Sequence, residues 1–150
     1  MQVQQLNRTD PERVKIVFTN IDGSGSITTG MGISWPDAGA SMDGIGVVKY
    51  AATNVGGFCG VAEQDVAING YGLAVSWGLA NSVLISHVGS SITVTRGDFL
   101  KPGAVAGTFF SSITPQAVST LLYRYVIAAT TPVAVSTLVQ SYCKGLVKAL

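Results

Sequence analysis

The sequence predicts an all-β fold: a small β-barrel, β-tulip-like or sandwich domain preceded by an extended N-terminal arm. Three observations carry this expectation. Val (19), Ile (10) and Thr (13) make up 42 of the 150 residues, and these β-branched side chains are stiff at χ1 and suit a pleated surface. Glycine contributes 18 residues, a share well above the usual value of about 7%. Short apolar runs are separated by turn residues at intervals of roughly 8–12 positions, the spacing of a sandwich or barrel.

The elements follow in order. Residues 1–12 are polar, and Asp10-Pro11 steers the chain away from helix, which suggests an extended arm. Val14, Ile16 and Phe18 alternate with Lys15, Val17 and Thr19 as in a strand. Asn20 to Ser26 is rich in turn formers, and Ile27 to Trp35 reads as a second strand in which Gly30 and Gly32 permit bends. After a loop from Pro36 to Gly46, Val47 to Tyr50 and Phe58 to Ala62 are short strands. Val66-Ala67-Ile68 leads into Asn69-Gly70, a hairpin signal, with Leu73 to Trp77 beyond it.

Val83 to Val88 and Ile92 to Thr95 are further strands, parted by a Gly89-Ser90-Ser91 turn, and Arg96-Gly97-Asp98 is a tight turn. Ala117 to Ala129 fits a strand or a strand preceded by one helical turn. Residues 133–150 fit both a helix entered at Thr131-Pro132 and a strand, and periodicity does not choose between them. No internal repeat is visible in the sequence.

Composition narrows the function classes. Hydrophobic residues are 47% and charged residues 11%, with a net charge of +1. A chain so apolar is no disordered segment, and 150 residues suffice to bury roughly 70% of the unfolded surface. Nine basic residues against eight acidic ones supply no broad basic field, so no nucleic-acid partner is expected. The charge is uneven: residues 1–98 hold five basic and eight acidic groups, whereas 99–150 hold Lys101, Arg124, Lys144 and Lys148 and no acid. Such asymmetry suits a head-to-tail contact between copies or a docking face. Stretches 66–95, 102–123 and 125–143 lack charge, yet Asn, Gly and Ser interrupt them too often for a membrane span, and none is expected. Gln2 to Gln5 follow Met1 without the pattern of a secretory signal.

The chemical motifs are sparse, and no catalytic, cofactor-binding or metal-binding residue is expected. His87 is the single histidine and has no ligand-spacing partners. Cys59 and Cys143 read as small buried hydrophobes. A Cys59–His87 dyad is the least favoured alternative, because such pairs meet in space rather than in sequence. Asp22 to Ser26 resembles the opening of a calcium loop, but Ile27 and Ile33 occupy the positions that require Gly and Glu. GxSxG, the P-loop and the dinucleotide fingerprint are missing.

One stretch does resemble a known family. Gly60-Val61-Ala62-Glu63-Gln64-Asp65-Val66-Ala67-Ile68-Asn69-Gly70-Tyr71-Gly72-Leu73-Ala74-Val75-Ser76-Trp77-Gly78 is similar to the pattern of tailed-bacteriophage capsid decoration (cement) proteins. The similarity continues through Ser82 to Ser86, Ile92 to Leu100, Lys144 to Leu150 and the opening Asn20 to Trp35, while residues 103–131 match weakly.

The resemblance implies a single β-rich decoration domain over 13–150, with residues 1–12 as its arm. It implies a structural virion protein, not an enzyme, that is made in the host bacterial cytoplasm and needs no cofactor. Such a protein binds the major capsid protein on the capsid exterior as an oligomer, in this family usually a homotrimer, and stabilises the shell by bridging capsomers. Two further expectations go with it: the arm reaches a neighbour, and glycine-rich strands add to one another across chains. Other structural virion proteins, such as a tail or fibre-base module, and a small β-barrel binding module or enzyme are the alternatives.

Overall fold

The structure, a computed structural model, describes residues 13–36, 45–51, 57–86, 94–103, 105–111, 126–129 and 140–149. The 1–12 arm, His87, the Gly89-Ser90-Ser91 turn and residues 117–125 lie outside them.

The fold is all-β, with nine strands among the described residues: β1 (Val14–Asn20), β2 (Gly32–Ser34), β3 (Gly46–Lys49), β4 (Phe58–Ala62), β5 (Tyr71–Ser86), β6 (Phe99–Pro102), β7 (Phe109–Ser111), β8 (Val126–Ala128) and β9 (Gln140–Lys148). They form one sheet in the order β1-β3-β2-β4-β5-β7-β6-β8-β9, with β5 also pairing β1 and β9. The extra pairings close two five-stranded circuits, β1-β3-β2-β4-β5 and β5-β7-β6-β8-β9, which have β5 in common. The barrel expectation therefore holds.

β5 is 16 residues long, nearly three times the typical strand of about 5–6 residues. Two expected strands, Leu73 to Trp77 and the described part of Val83 to Val88 (Val83 to Ser86), are joined in it through Gly78, Asn81 and Ser82. The polar and glycine residues there mark a bend, not a break. Gly78 takes φ +101°, and the register with β9 shifts between Ala80 and Val83, so the strand turns from one circuit into the other. The segment 133–150, open between helix and strand, is strand over Gln140–Lys148. Cys143, Gly145 and Val147 face inward there, while Tyr142, Lys144, Leu146 and Lys148 face out.

Other boundaries shift. Ile27 to Trp35 is strand only at Gly32–Ser34, with Ile27 bridging to Val66. Asn69-Gly70 turns the chain, Asn69 at φ 61°, but the connection between β4 and β5 spans eight residues and is no two-residue hairpin. Within 117–129, the described part is strand over Val126–Ala128.

Two cores fill the circuits. Phe18, Ile27, Ile33, Val47, Ala62 and Ala74 pack inside the first. Val83, Leu100, Phe109, Val126, Cys143 and Val147 pack inside the second, joined by Tyr50, Phe58, Val61 and Val75 from the outer wall of the first. Tyr50, Phe58 and Phe109 meet there with ring centroids 4.9–6.0 Å apart, the edge-on range favoured by aromatic quadrupoles. Among the described residues each strand has a neighbour on both sides, so none of these strands is a free edge for a strand of another chain, and the surfaces they offer are sheet faces.

Candidate functional site

The residues singled out for chemistry are placed as structural groups. Cys59 is buried in the first core and Cys143 in the second, both as free thiols. Burial pushes the Cys59 thiol up to about 12 and that of Cys143 up to about 11, which leaves both protonated and poor nucleophiles at neutral pH. His87 lies outside the described residues, so the dyad alternative gains no geometric support.

The calcium-like loop spends its carboxylate internally. Asp22 accepts the backbone N–H of Ser24 at 2.8 Å and of Lys49 at 2.9 Å. Burial raises its pKa, but the hydrogen bonds from Ser24 and Lys49 outweigh that and hold it below the ordinary value. Asn20, fully buried, supports the same loop: its Nδ2 donates to the carbonyls of Gly25 and Val66, and its Oδ1 accepts from the Asp22 N–H. Among the described residues no group of three or more His, Cys, Asp or Glu is placed to hold a metal.

Arg96-Gly97-Asp98 forms the expected tight turn. Asp98 accepts from the Thr95 N–H at 2.8 Å and from the Thr95 hydroxyl at 2.9 Å, and its own N–H donates to the Thr95 carbonyl. Asp65 is used likewise by Thr29, whose N–H and hydroxyl both donate to it and lower its pKa. A polar cleft of about 370 Å³ is lined by Arg13, Lys15, Thr29, Glu63 and Asn81. Glu63 engages both of its cations, with Lys15 Nζ at 2.7 Å and Arg13 at 3.8 Å.

What the surface offers instead is apolar. Val17 (58% exposed) and Leu73 (37%) are direct cross-strand partners on β1 and β5, and Tyr71 (68%) stands beside them. Further along β5, Trp77 (40%) lies opposite Val14, and Leu79 pairs with Leu146 of β9. The alternation of β5 and β9 creates this: one set of side chains fills the cores, and the other leaves aromatic and aliphatic groups on the outer face. Sequence reading placed Val14, Val17, Leu73 and Trp77 on strands, put Tyr71 and Leu79 outside them and left Leu146 open between helix and strand; it singled out none of them, because an outward Leu and an inward Leu look alike until the partner strand is known. Such an outer face suits contact with another protein surface.

No family model matches the chain, and no curated protein matches it. Among solved structures, it is similar to the crystal structure of the head fiber gp8.5 N base in bacteriophage phi29, with a TM-score of 0.47 and 12% identity, over 92% of this chain and 96% of that one.

Proposed function

We propose that the protein is a structural virion component: a decoration protein that binds the outside of an icosahedral phage capsid as an oligomer and stabilises the shell by bridging capsomers. The observation that carries this reading is the outward apolar face of β1 and the first half of β5, with Val17, Tyr71, Leu73 and Trp77 exposed on a closed sheet. That face includes part of the 60–78 stretch that resembles decoration proteins. Tyr71, Leu73 and Trp77 belong to the resembling pattern, and they stand on the surface where a partner would meet them.

The physics of the role is consistent with the chain. A cement protein acts by binding one state of the shell more tightly than others, which stabilises that state by mass action. An oligomer seated across several capsomers gains further from multivalency. Neither effect requires a reacting group. The low charge suits surfaces that are covered by protein in the assembled particle.

The test is binding to purified heads that lack the protein. The natural chain is expected to bind with saturable stoichiometry and to raise the temperature at which the heads release DNA. Leu73→Glu is expected to abolish binding while leaving the fold intact. Failure of the natural chain to bind heads overturns the reading, and imaging that finds it on the tail favours a tail or fibre-base module.

A further inference from the structure

The two closed circuits follow one plan. Adding four to each strand number of β1-β3-β2-β4-β5 gives β5-β7-β6-β8-β9. Each pairing agrees in sense: β1–β3 and β5–β7 are parallel, and the other four of each circuit are antiparallel.

The register agrees too. Let Ala62 correspond to Ala128. Their partners on the next strand, Ala74 and Gly145, then correspond. Two residues back, Gly72 pairs Phe18 and Cys143 pairs Val83, so Phe18 corresponds to Val83. Asn20 and Ile85 follow, and they pair Val47 and Phe109. Two residues further, Lys49 and Ser111 pair Ile33 and Leu100. Ile33 and Leu100 pair Gly60 and Val126, which returns to Ala62 and Ala128 with no residue left over. A one-residue slip anywhere would reverse inside and outside.

Interior and turns repeat as well. Phe18, Ile27, Ile33, Val47 and Ala62 correspond to Val83, Val94, Leu100, Phe109 and Ala128, and all ten are buried. Gly30 (φ +85°) and Gly97 (φ +96°) correspond, and each donates its N–H to the carbonyl of the corresponding alanine, Ala62 or Ala128, at 2.8 Å. The return bonds match: Ala62 to Met31 and Ala128 to Asp98, both 2.9 Å, and Met31 to Thr28 and Asp98 to Thr95, both 3.1 Å.

We infer that the chain is a tandem duplication of one five-stranded unit, fused through β5, and that the outer wall of the second unit, at Ile127 and Leu146, is an interface for another copy of this chain. In the first unit the corresponding wall residues, Val61 and Val75, are 0% exposed, because the second unit packs over them. In the second unit Ile127 and Leu146 are cross-strand neighbours, and Leu79 of β5 extends the row. Ile127 and Leu79 are partly exposed, and Leu146 is 36% exposed.

Charge chooses the occupant. Lys144 and Lys148 flank Leu146 on the same face of β9, within a segment (99–150) that has four cations and no acid, while 1–98 is net −3. Two such walls face to face would set lysine against lysine. The wall against the N-terminal half of the next copy sets net positive charge against net negative charge, and a heterologous contact of that kind forms a ring where the rotation between copies closes and a filament where it does not. This deepens the oligomer of the proposed function and rests on that reading only for its setting on a shell.

The experiment is native mass measurement of the full chain, alone and with heads. The natural chain is expected to assemble. Leu146→Glu is expected to give a single-chain mass at concentrations where the natural chain is assembled, with an unchanged far-UV spectrum. Lys148→Glu, which leaves the apolar row intact, is expected to weaken assembly about tenfold, as like charge meets like or attraction is lost. Assembly of Leu146→Glu and Lys148→Glu at natural strength overturns the interface, as does a natural chain that stays single both free and on heads. If the natural chain assembles through this wall yet ignores heads, the coat reading falls and the interface stands. If it binds heads as a single chain, the reverse holds.

Discussion

Gly30 and Gly97 occupy corresponding turns, with the same left-handed backbone and the same 2.8 Å hydrogen bond, but their surroundings differ. A Cβ at Gly97 meets nothing within 4 Å, whereas one at Gly30 would lie 3.1 Å from the Leu84 nitrogen, 3.1 Å from Ser82 Oγ and 3.2 Å from Tyr142 Cε1. Alanine at either site places an L side chain at positive φ, at a cost of about 1–2 kcal/mol. Both variants gain the same small offset from a stiffer unfolded chain. Gly97→Ala is therefore expected to cost about 1 kcal/mol. Gly30→Ala carries an added penalty of roughly 1–3 kcal/mol, since the backbone of β5 and the Tyr142 ring must give way. Urea unfolding of the two variants beside the natural chain, with slopes compared to verify a two-state transition, measures the difference directly. Equal losses, or a larger loss at Gly97, would refute both the strain argument and the claim that the first turn is pressed against β5 and β9 while the second is open.

Three further expectations concern buried polar groups. Asn20→Ala removes two donated hydrogen bonds and one accepted bond from a fully buried site and is expected to cost about 2–4 kcal/mol by the same urea assay. Asp22→Ala strips the acceptor of the Ser24 and Lys49 amides and is expected to cost about 1–2 kcal/mol at neutral pH; because the folded pKa is lowered, the stability Asp22 provides is present above about pH 4 and fades as pH falls through the folded value, so the variant flattens the acid limb of the stability curve. Cys59, pushed up to about 12 against an ordinary 9.0, contributes stability that is full below pH 9 and is lost as pH rises toward 12. Alkylation at pH 8.5 is accordingly expected to label Cys59 only after unfolding, and ready labelling of the native chain would contradict its burial.

The all-β class was legible because Val, Ile and Thr dominate and glycines punctuate them. The Asp22 and Arg96-Gly97-Asp98 turns were legible because their side-chain acceptors act within two or three residues. What escaped was long-range. Residues 133–150 satisfied helix and strand patterns equally, and only pairing with β5 and β8 selects the strand. The continuity of β5 through Gly78 and Asn81 was hidden because those residues are also turn formers. The repeat was invisible because corresponding positions conserve burial, not identity: Phe18 and Val83, or Val47 and Phe109, fill equivalent places with different volumes. What survives as letters is the Thr28-Gly30 and Thr95-Gly97 spacing, the Ala62 and Ala128 pair and the Tyr71 and Tyr142 pair. The exposed face was missed for the same reason, since outwardness is a property of pairs of strands.

The sharing of β5 has a mechanical consequence. Two barrels strung on a flexible connector could each open while the other stayed shut. Here the strand that seals one is the strand that seals the other, with β1 and β4 paired along its first half and β9 and β7 along its second. Freeing the whole strand breaches both enclosures at once, so the molecule is expected to melt in a single calorimetric step and to pass load from one end to the other along one continuous backbone.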